Sequence, residues 1–167
     1  VTKKVLIFAG GYDNGQDGAV TYQPDSVGRA IYIVDAETGA RLWWASNSLY
    51  ADTANLVLSE MLNSIPADIK VIDMELDGYA DRMYVGDMGG RIWRFDIDNE
   101  ENSGASDLVQ GGIIASLGGA ETLLGTEEEQ KAANRRFYYP PDLVLACGDN
   151  HNLKLSIGSG YRAHPLD

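Results

Sequence analysis

Apolar residues along this chain alternate with polar ones or gather in short runs, and Gly, Asp and Asn bound each run. This period-two pattern predicts strands at Val5–Phe8, Ala30–Asp35, Arg41–Trp44, Ile69–Asp73, Arg82–Val85, Arg91–Asp96, Gly112–Leu117, Leu143–Ala146 and Leu153–Ile157. Many short strands separated by turn signals point to a barrel, a sandwich or a propeller. Two segments break the rhythm. Thr53–Ile65 places Leu58, Met61, Leu62 and Ile65 at helical spacing between Asp52, a candidate N-cap, and Pro66, so it predicts an inserted helix. The charged run Glu127–Arg136 predicts a short helix before Pro140-Pro141, and Asn99–Asp107 reads as a flexible loop.

Once the strands are placed, a repeat emerges. "GRAIYIVD" (Gly28–Asp35) and "GGRIWRFD" (Gly89–Asp96) share a leading Gly, an Ile-aromatic pair and a closing Asp. Related glycine-ended strands place Gly10, Gly86 and Gly158 at intervals of 76 and 72 residues. Common propeller blades run about 40–50 residues, so insertions would account for the excess. In "AIYIVDAETGARLWW" the Thr38-Gly39 pair turns the chain and Trp43 returns on the next strand. This strand–Asp-x-x-Thr-Gly–strand–Trp unit resembles the blade motif of quinoprotein-type propellers. The expected fold is therefore mainly β, a partial or modified propeller with a helix inserted near 53–65, and the 167 residues form a single segment of it.

Composition narrows the chemistry. Thirteen Lys and Arg against 25 Asp and Glu give a net charge of −12, which argues against nucleic acid because phosphate binding needs clustered cations. Nothing approaches the roughly 20 apolar residues of a membrane span. No basic-then-apolar leader follows Val1, so any export signal is expected to lie outside these residues. Cys147 is the single cysteine, which excludes an internal disulfide framework and a cysteine-rich zinc site.

The acidic surplus is most concentrated in "DMELDGYADRMYVGD" (Asp73–Asp87). Calcium takes six to eight oxygens, supplied by alternating loop positions around a sharp turn. Asp73, Glu75 and Asp77 fall at positions one, three and five of such a ladder. Gly78 falls at the sharp-turn position six, the Tyr79 carbonyl at seven and Asp81 at nine. Position twelve is Tyr84, so the bidentate Glu of an EF-hand is missing, and strands flank the loop instead of helices. The alternative is a solvated hairpin turn whose Asp and Gly serve only the backbone. "DNGQDG" (Asp13–Gly18) matches the ladder less well and reads as a glycine-rich loop, while Asp96, Asp98 and Glu100 are expected to face solvent.

The run "NSIPADIKVIDMELDGYADRMYVGDMGGRIWRFDI" (Asn63–Ile97) closely resembles the C-terminal propeller domain of the PilY family, type IV pilus-associated biogenesis factors and adhesins. "RRFYYPPDLVLACG" (Arg135–Gly148) and "IGSGYRAHPLD" (Ile157–Asp167) resemble later segments of that domain, in the same order. The resemblance implies a secreted Gram-negative protein at the outer membrane or pilus tip, with pilus components and a host surface as partners. It also implies a calcium loop at Asp73, Glu75, Asp77, Tyr79 and Asp81 that bears on pilus extension against retraction. Glu75 departs from the Asp or Asn usual there, and no Arg-Gly-Asp triplet is present to carry over integrin binding. A partial propeller would expose strand edges and invite self-association.

No enzymatic constellation stands out. A quinoprotein dehydrogenase, the main alternative, would need a residue funnel around its quinone and a catalytic Asp beside the metal, whereas the acidic loop reads as a self-contained cage. His151 and His164 are distant in sequence, Ser156 and Ser159 lack a nucleophile elbow, and Cys147 sits on an apolar strand. Trp43, Trp44 and Trp93 read as packing aromatics. A metal-free interaction propeller is the third reading.

Overall fold

The computed structural model describes residues 2–99, 107–118, 125–146, 152–163 and 165. Its strands are β1 (Val5–Ala9), β2 (Ala30–Asp35), β3 (Arg41–Ser46), β4 (Leu56–Val57), β5 (Lys70–Ile72), β6 (Arg82–Gly86), β7 (Arg91–Ile97), β8 (Val109–Ser116), β9 (Asp142–Ala146) and β10 (Asn152–Ser156). They form a four-stranded sheet β1-β2-β3-β4, a second four-stranded sheet β5-β6-β7-β8, and a β9–β10 pair. None of the sheets closes on itself, and every pairing is antiparallel except β3 with β4. The short helix α1 (Glu127–Ala133) begins with a capping box between Thr126 and Glu129. No described helix is long and apolar enough to cross a membrane.

The two large sheets bury one face of each against the other. Ile31, Ile33, Trp43 and Ala45 from the first meet Met83, Val85, Trp93, Phe95 and Val109 from the second. Trp43 approaches Phe95 edge-on at 6.3 Å between ring centroids, and Trp93 stacks on Phe95 at 6.3 Å. Alternation along each strand directs these residues inward, so strand period and core membership have one cause. Beyond the second sheet, the side chains of Phe137 and Ile157 close over Gly86, where a Cβ would stand 2.5 Å from that of Phe137. Gly86 is thus required by close packing.

A matched pair of turns sets the register. Between β2 and β3, Asp35 Oδ1 accepts from the Glu37 and Thr38 amides at 3.0 and 3.1 Å, Oδ2 accepts from Lys3 at 2.9 Å, and Gly39 takes φ 72°. Between β6 and β7, Asp87 Oδ1 accepts from the Gly89 and Arg91 amides at 2.9 Å each, and Gly90 takes φ 79°. Asp87 Oδ2 accepts from the Trp93 indole at 2.8 Å, tying the turn to the core. Trp43 pairs with Ile33 and Trp93 with Val85, each partner two residues before the turn aspartate. The structural repeat is therefore β2–turn–β3 with β6–turn–β7. The expected match of Gly28–Asp35 to Gly89–Asp96 is out of phase, because it equates a second strand with a third.

All nine predicted strands are present with small end shifts, and β4 is an addition. The helix expected over Thr53–Ile65 is absent. Only isolated turn bonds are local there, such as Met61 N to Leu58 O at 2.9 Å, and the other backbone groups bond to distant segments. Asn55 N donates to Trp44 O, Leu58 N to Ser46 O, Ile65 N to Gly28 O and Met88 N to Ser64 O, at 2.8–3.1 Å. Met61 and Ile65 are fully buried, so the apolar stripe is real, but it covers the core as an extended strap. Tertiary pairing outweighs the modest helical preference of a short segment.

Two expectations follow. Phe95→Ala should lower unfolding free energy by about 3–5 kcal/mol, whereas Leu6→Ala, at an exposed position, should cost under about 0.5 kcal/mol, both read by denaturant melts. Burial pushes the Asp87 carboxyl up to about 6 despite its amide and indole donors. Its favourable contribution is then complete below the ordinary value of 3.8 and is lost as pH rises through about 6. Asp87→Asn should remove that slope between pH 4 and 6, and melts that run parallel for the two proteins over this window would contradict the assignment.

Candidate functional site

The acidic loop joins β5 to β6, as its flanking strand patterns require. Asp81 N donates to Ile72 O at 2.9 Å and Ile97 N donates to Asp81 O at 2.7 Å, so the loop base is stapled to both neighbouring strands. Within the loop, Asp73 organises the backbone. Its Oδ1 accepts from the Leu76 and Asp77 amides at 2.6 and 3.2 Å, and its Oδ2 from the Gly78 amide at 2.8 Å. These donors, led by Gly78, hold the Asp73 carboxyl below its usual range. The chain reverses through Leu76 at φ 60° and Gly78 at φ 90°.

The other expected ligands surround this turn. Asp77 Oδ1 accepts from the Tyr79 amide at 2.9 Å, and Asp81 Oδ2 accepts from the Met74 amide at 2.5 Å. Glu75, Asp77 and Tyr79 are exposed. The five positions thus lie on one solvent-facing loop, with the glycine at its sharp turn as the spacing predicts. Their carboxylates are directed at backbone amides, and among the described residues no group of three or more His, Cys, Asp or Glu side chains is arranged to hold a metal ion.

The donor chemistry nonetheless fits a hard cation. Every side-chain donor is a carboxylate oxygen, and although Asp73 Oδ1 already accepts two amides, its Oδ2 accepts one and keeps a second lone pair. Glu75 and Asp77 are exposed, so rotating them inward meets little packing resistance. Two residues outside the expected set also belong to the loop. Asn99 Nδ2 donates to Ala80 O and to Asp81 Oδ1, both at 3.2 Å, and the Thr2 hydroxyl lies 3.3 Å from the Tyr79 hydroxyl. The pairing of Arg82 with Asp96 brings Asn99 there, so extending the strand register past Asp96 could have found it. Thr2 left no signal in the sequence.

The weaker candidates take structural roles. Asp13 Oδ1 accepts from the Gly15 amide, and Oδ2 accepts from the Ser26 amide and hydroxyl and the Val27 amide, at 2.7–3.1 Å. Led by the Gly15 donor, these bonds hold its carboxyl down near 2. It pins the glycine-rich loop, as the sequence suggests. Asp96 pairs with Arg82 and Arg94 at 3.0 and 2.9 Å. Glu100, Cys147, His151 and His164 lie outside the described residues. Trp43 and Trp93 are core residues, while Trp44 lies on the opposite face of its sheet, stacked on Tyr32.

The class this arrangement defines is a mainly β protein of stacked antiparallel sheets with an acidic, glycine-turned loop between two strands. Among solved structures it is similar to the C-terminal domain of PilY1 from Pseudomonas aeruginosa, with a TM-score of 0.57 and 21% identity over 93% of this chain. The matched region is 29% of that domain's chain, so the present residues span less than a third of its length. No protein-family profile matches the chain, and no curated protein sequence matches it. At this identity the likeness is one of fold.

Gly78 gives the loop a specific test. A side chain there would meet no neighbour, but φ 90° disfavours any L-residue. Gly78→Ala should therefore destabilise by about 1–2 kcal/mol through backbone strain alone. A thermal melt indistinguishable from wild type would show that the loop does not hold this turn.

Proposed function

We propose that the chain is a calcium-binding segment of a modified β-propeller in a type IV pilus-associated protein of the PilY kind. The fold likeness to a PilY1 domain over nearly the whole chain carries this reading. The long motif Asn63–Ile97 and the oxygen-rich loop within it agree with that likeness. In this proposal Asp73, Glu75, Asp77, Asp81 and the Tyr79 carbonyl hold the ion, and Asn99 orients Asp81. Calcium supplies the positive charge that relieves repulsion among the carboxylates and locks the loop between β5 and β6. Occupancy would then bear on pilus extension against retraction and on adhesion. The protein would act outside a Gram-negative cell, at the outer-membrane surface or pilus tip. Its partners would be pilus components, a host surface and, through open strand edges, other copies. The proposal includes no enzymatic activity, and quinone-dependent dye reduction by the purified protein would favour the quinoprotein alternative instead.

A metal-free interaction role is the second reading, favoured by the amide bonds that already engage Asp73, Asp77 and Asp81. Melting temperature in calcium, magnesium or chelator separates the two. Extracellular calcium modules bind at about 10⁻⁴–10⁻³ M, and a ligand that binds only the folded state adds about 2.7 kcal/mol at about a hundred times Kd. Calcium should raise the melting temperature more than magnesium does, because magnesium keeps its waters. Asp77→Ala should abolish the calcium effect with little change in chelator, and Glu75→Ala should weaken it less. Identical melts in millimolar calcium and in chelator, with no heat of binding, would leave the metal-free reading.

A further inference from the structure

Open strand edges are usually kept short, charged or interrupted by proline, because their N–H and C=O groups pair readily with another strand. Most edges of this fold follow that rule. β4 has two residues, and β5 has three and carries Lys70. β1 follows directly on Lys3 and Lys4, β9 carries Asp142 and β10 carries Lys154. β8 breaks the rule. Its eight residues hold no charge and no proline, and they lie within the longest uncharged run of the chain, Leu108–Ala120.

β8 ends the order β5-β6-β7-β8, and among the described residues no strand pairs with its far side. Gly111 shows that the main chain there is open. A side chain at Gly111 would run into Arg94 O and Phe95 Cδ1, so its side-chain direction is already filled. Gly111 is nevertheless exposed, and what a glycine exposes is main chain. Gly112 differs, since a Cβ there would meet nothing within 4 Å and its φ lies outside the left-handed region. Packing therefore requires Gly111 but not Gly112. A glycine inside a strand weakens it, and often marks a place where another backbone approaches closely. Ile113 and Ile114, 37% and 51% exposed, add apolar surface to this edge. Trp93 pairs with Ile113 and Ile92 with Ala115, so β8 bulges at Ile114 and its regular stretch is Val109–Ile113.

We propose that β8 pairs antiparallel, edge to edge, with β8 of a second copy, joining two four-stranded sheets into one. The charge pattern selects that occupant. An uncharged strand lies against itself under two-fold symmetry with no like charges opposed, and it offers a charged partner strand nothing to pair with. The net charge of −12 on each copy opposes approach elsewhere, so the pairing strengthens as salt screens that repulsion. The bulge limits the contact to a short stretch, which makes it weak and concentration-dependent. The inference rests on the fold and not on the calcium loop, and it assigns to one edge the self-association that the proposed function includes.

The test is sedimentation equilibrium of the whole chain in chelator, from about 10 µM to about 1 mM protein, at low and high salt. Average mass should rise toward that of a dimer with concentration, and further at high salt. Amide exchange should slow with concentration over Val109–Ile113 and not over Val5–Ala9. Gly112→Lys, in open space, should weaken association about tenfold or more, although it lowers the net negative charge. Leu6→Lys, on the exposed side of β1, changes the net charge equally and should leave association within about threefold. Ile114→Lys should repeat the loss, and serves in place of Gly112→Lys if that variant melts early. A monomer at every concentration and salt, association that survives both Gly112→Lys and Ile114→Lys, or an equal loss in Leu6→Lys would each overturn the proposal. None of these outcomes alters the effect of calcium on melting, so the two readings fail separately.

Discussion

Everything else in this fold depends on the contact between two four-stranded sheets through Trp43, Phe95 and Trp93. A single sheet with one apolar face cannot exclude water from it, so each sheet is stable only with its neighbour in place. The aspartate-anchored turns serve that contact. Asp35 and Asp87 gather the amides of their turns and thereby fix which residues of β3 and β7 face inward. A slip of one position would turn Trp43 and Trp93 to the outside. Asp87 goes further, because its second oxygen holds the Trp93 indole directly. Burying that carboxylate is costly, and three hydrogen bonds to one side chain offset much of the cost.

The same arrangement explains why the acidic loop is where it is. β5 and β6 are short and lie at one side of the second sheet, so their connection projects into solvent while its base is held by backbone bonds to Ile72 and Ile97. A rigid base with an exposed tip lets carboxylates gather without disturbing the core. Asp73 preorganises the turn, and the exposed Glu75 and Asp77 remain adjustable. This division suits a loop that responds to a cation, which is the proposal advanced for it. The stack of Tyr32 on Trp44 at the far face of the first sheet is a separate consequence of strand alternation, since residues that do not face Phe95 must face outward.

Much of this was legible in the sequence, and the gaps have physical causes. The strands could be read because period-two alternation is local and survives in every sheet. The loop could be read because its carboxylates and glycine fall within nine residues. The helix expected at Thr53–Ile65 failed because Met61 and Ile65 mark burial and not conformation. The backbone partners of Leu58, Ser64 and Ile65, namely Ser46, Met88 and Gly28, are distant in sequence. The repeat is visible in the letters but out of phase there, since "GRAIYIVD" and "GGRIWRFD" match in letters while the equivalent features are the turn aspartates and the tryptophans that follow them. Trp43 and Trp44 are neighbours with opposite fates, one in the core and one on the far face of the sheet, which alternation predicts once the register is known. Thr2 and Asn99 reach the loop only through tertiary pairing and carried no local signal.

The proposed function requires the loop from Asp73 to Asp81 to close around calcium. The most direct measurement is a crystal structure grown in millimolar calcium. The account predicts an ion coordinated by Asp73, Asp77, Asp81 and the Tyr79 carbonyl at about 2.3–2.6 Å, with Glu75 either bound or one water away. A well-ordered loop in that crystal, with no ion and with Asp73, Asp77 and Asp81 still bonded only to the backbone amides, would contradict it.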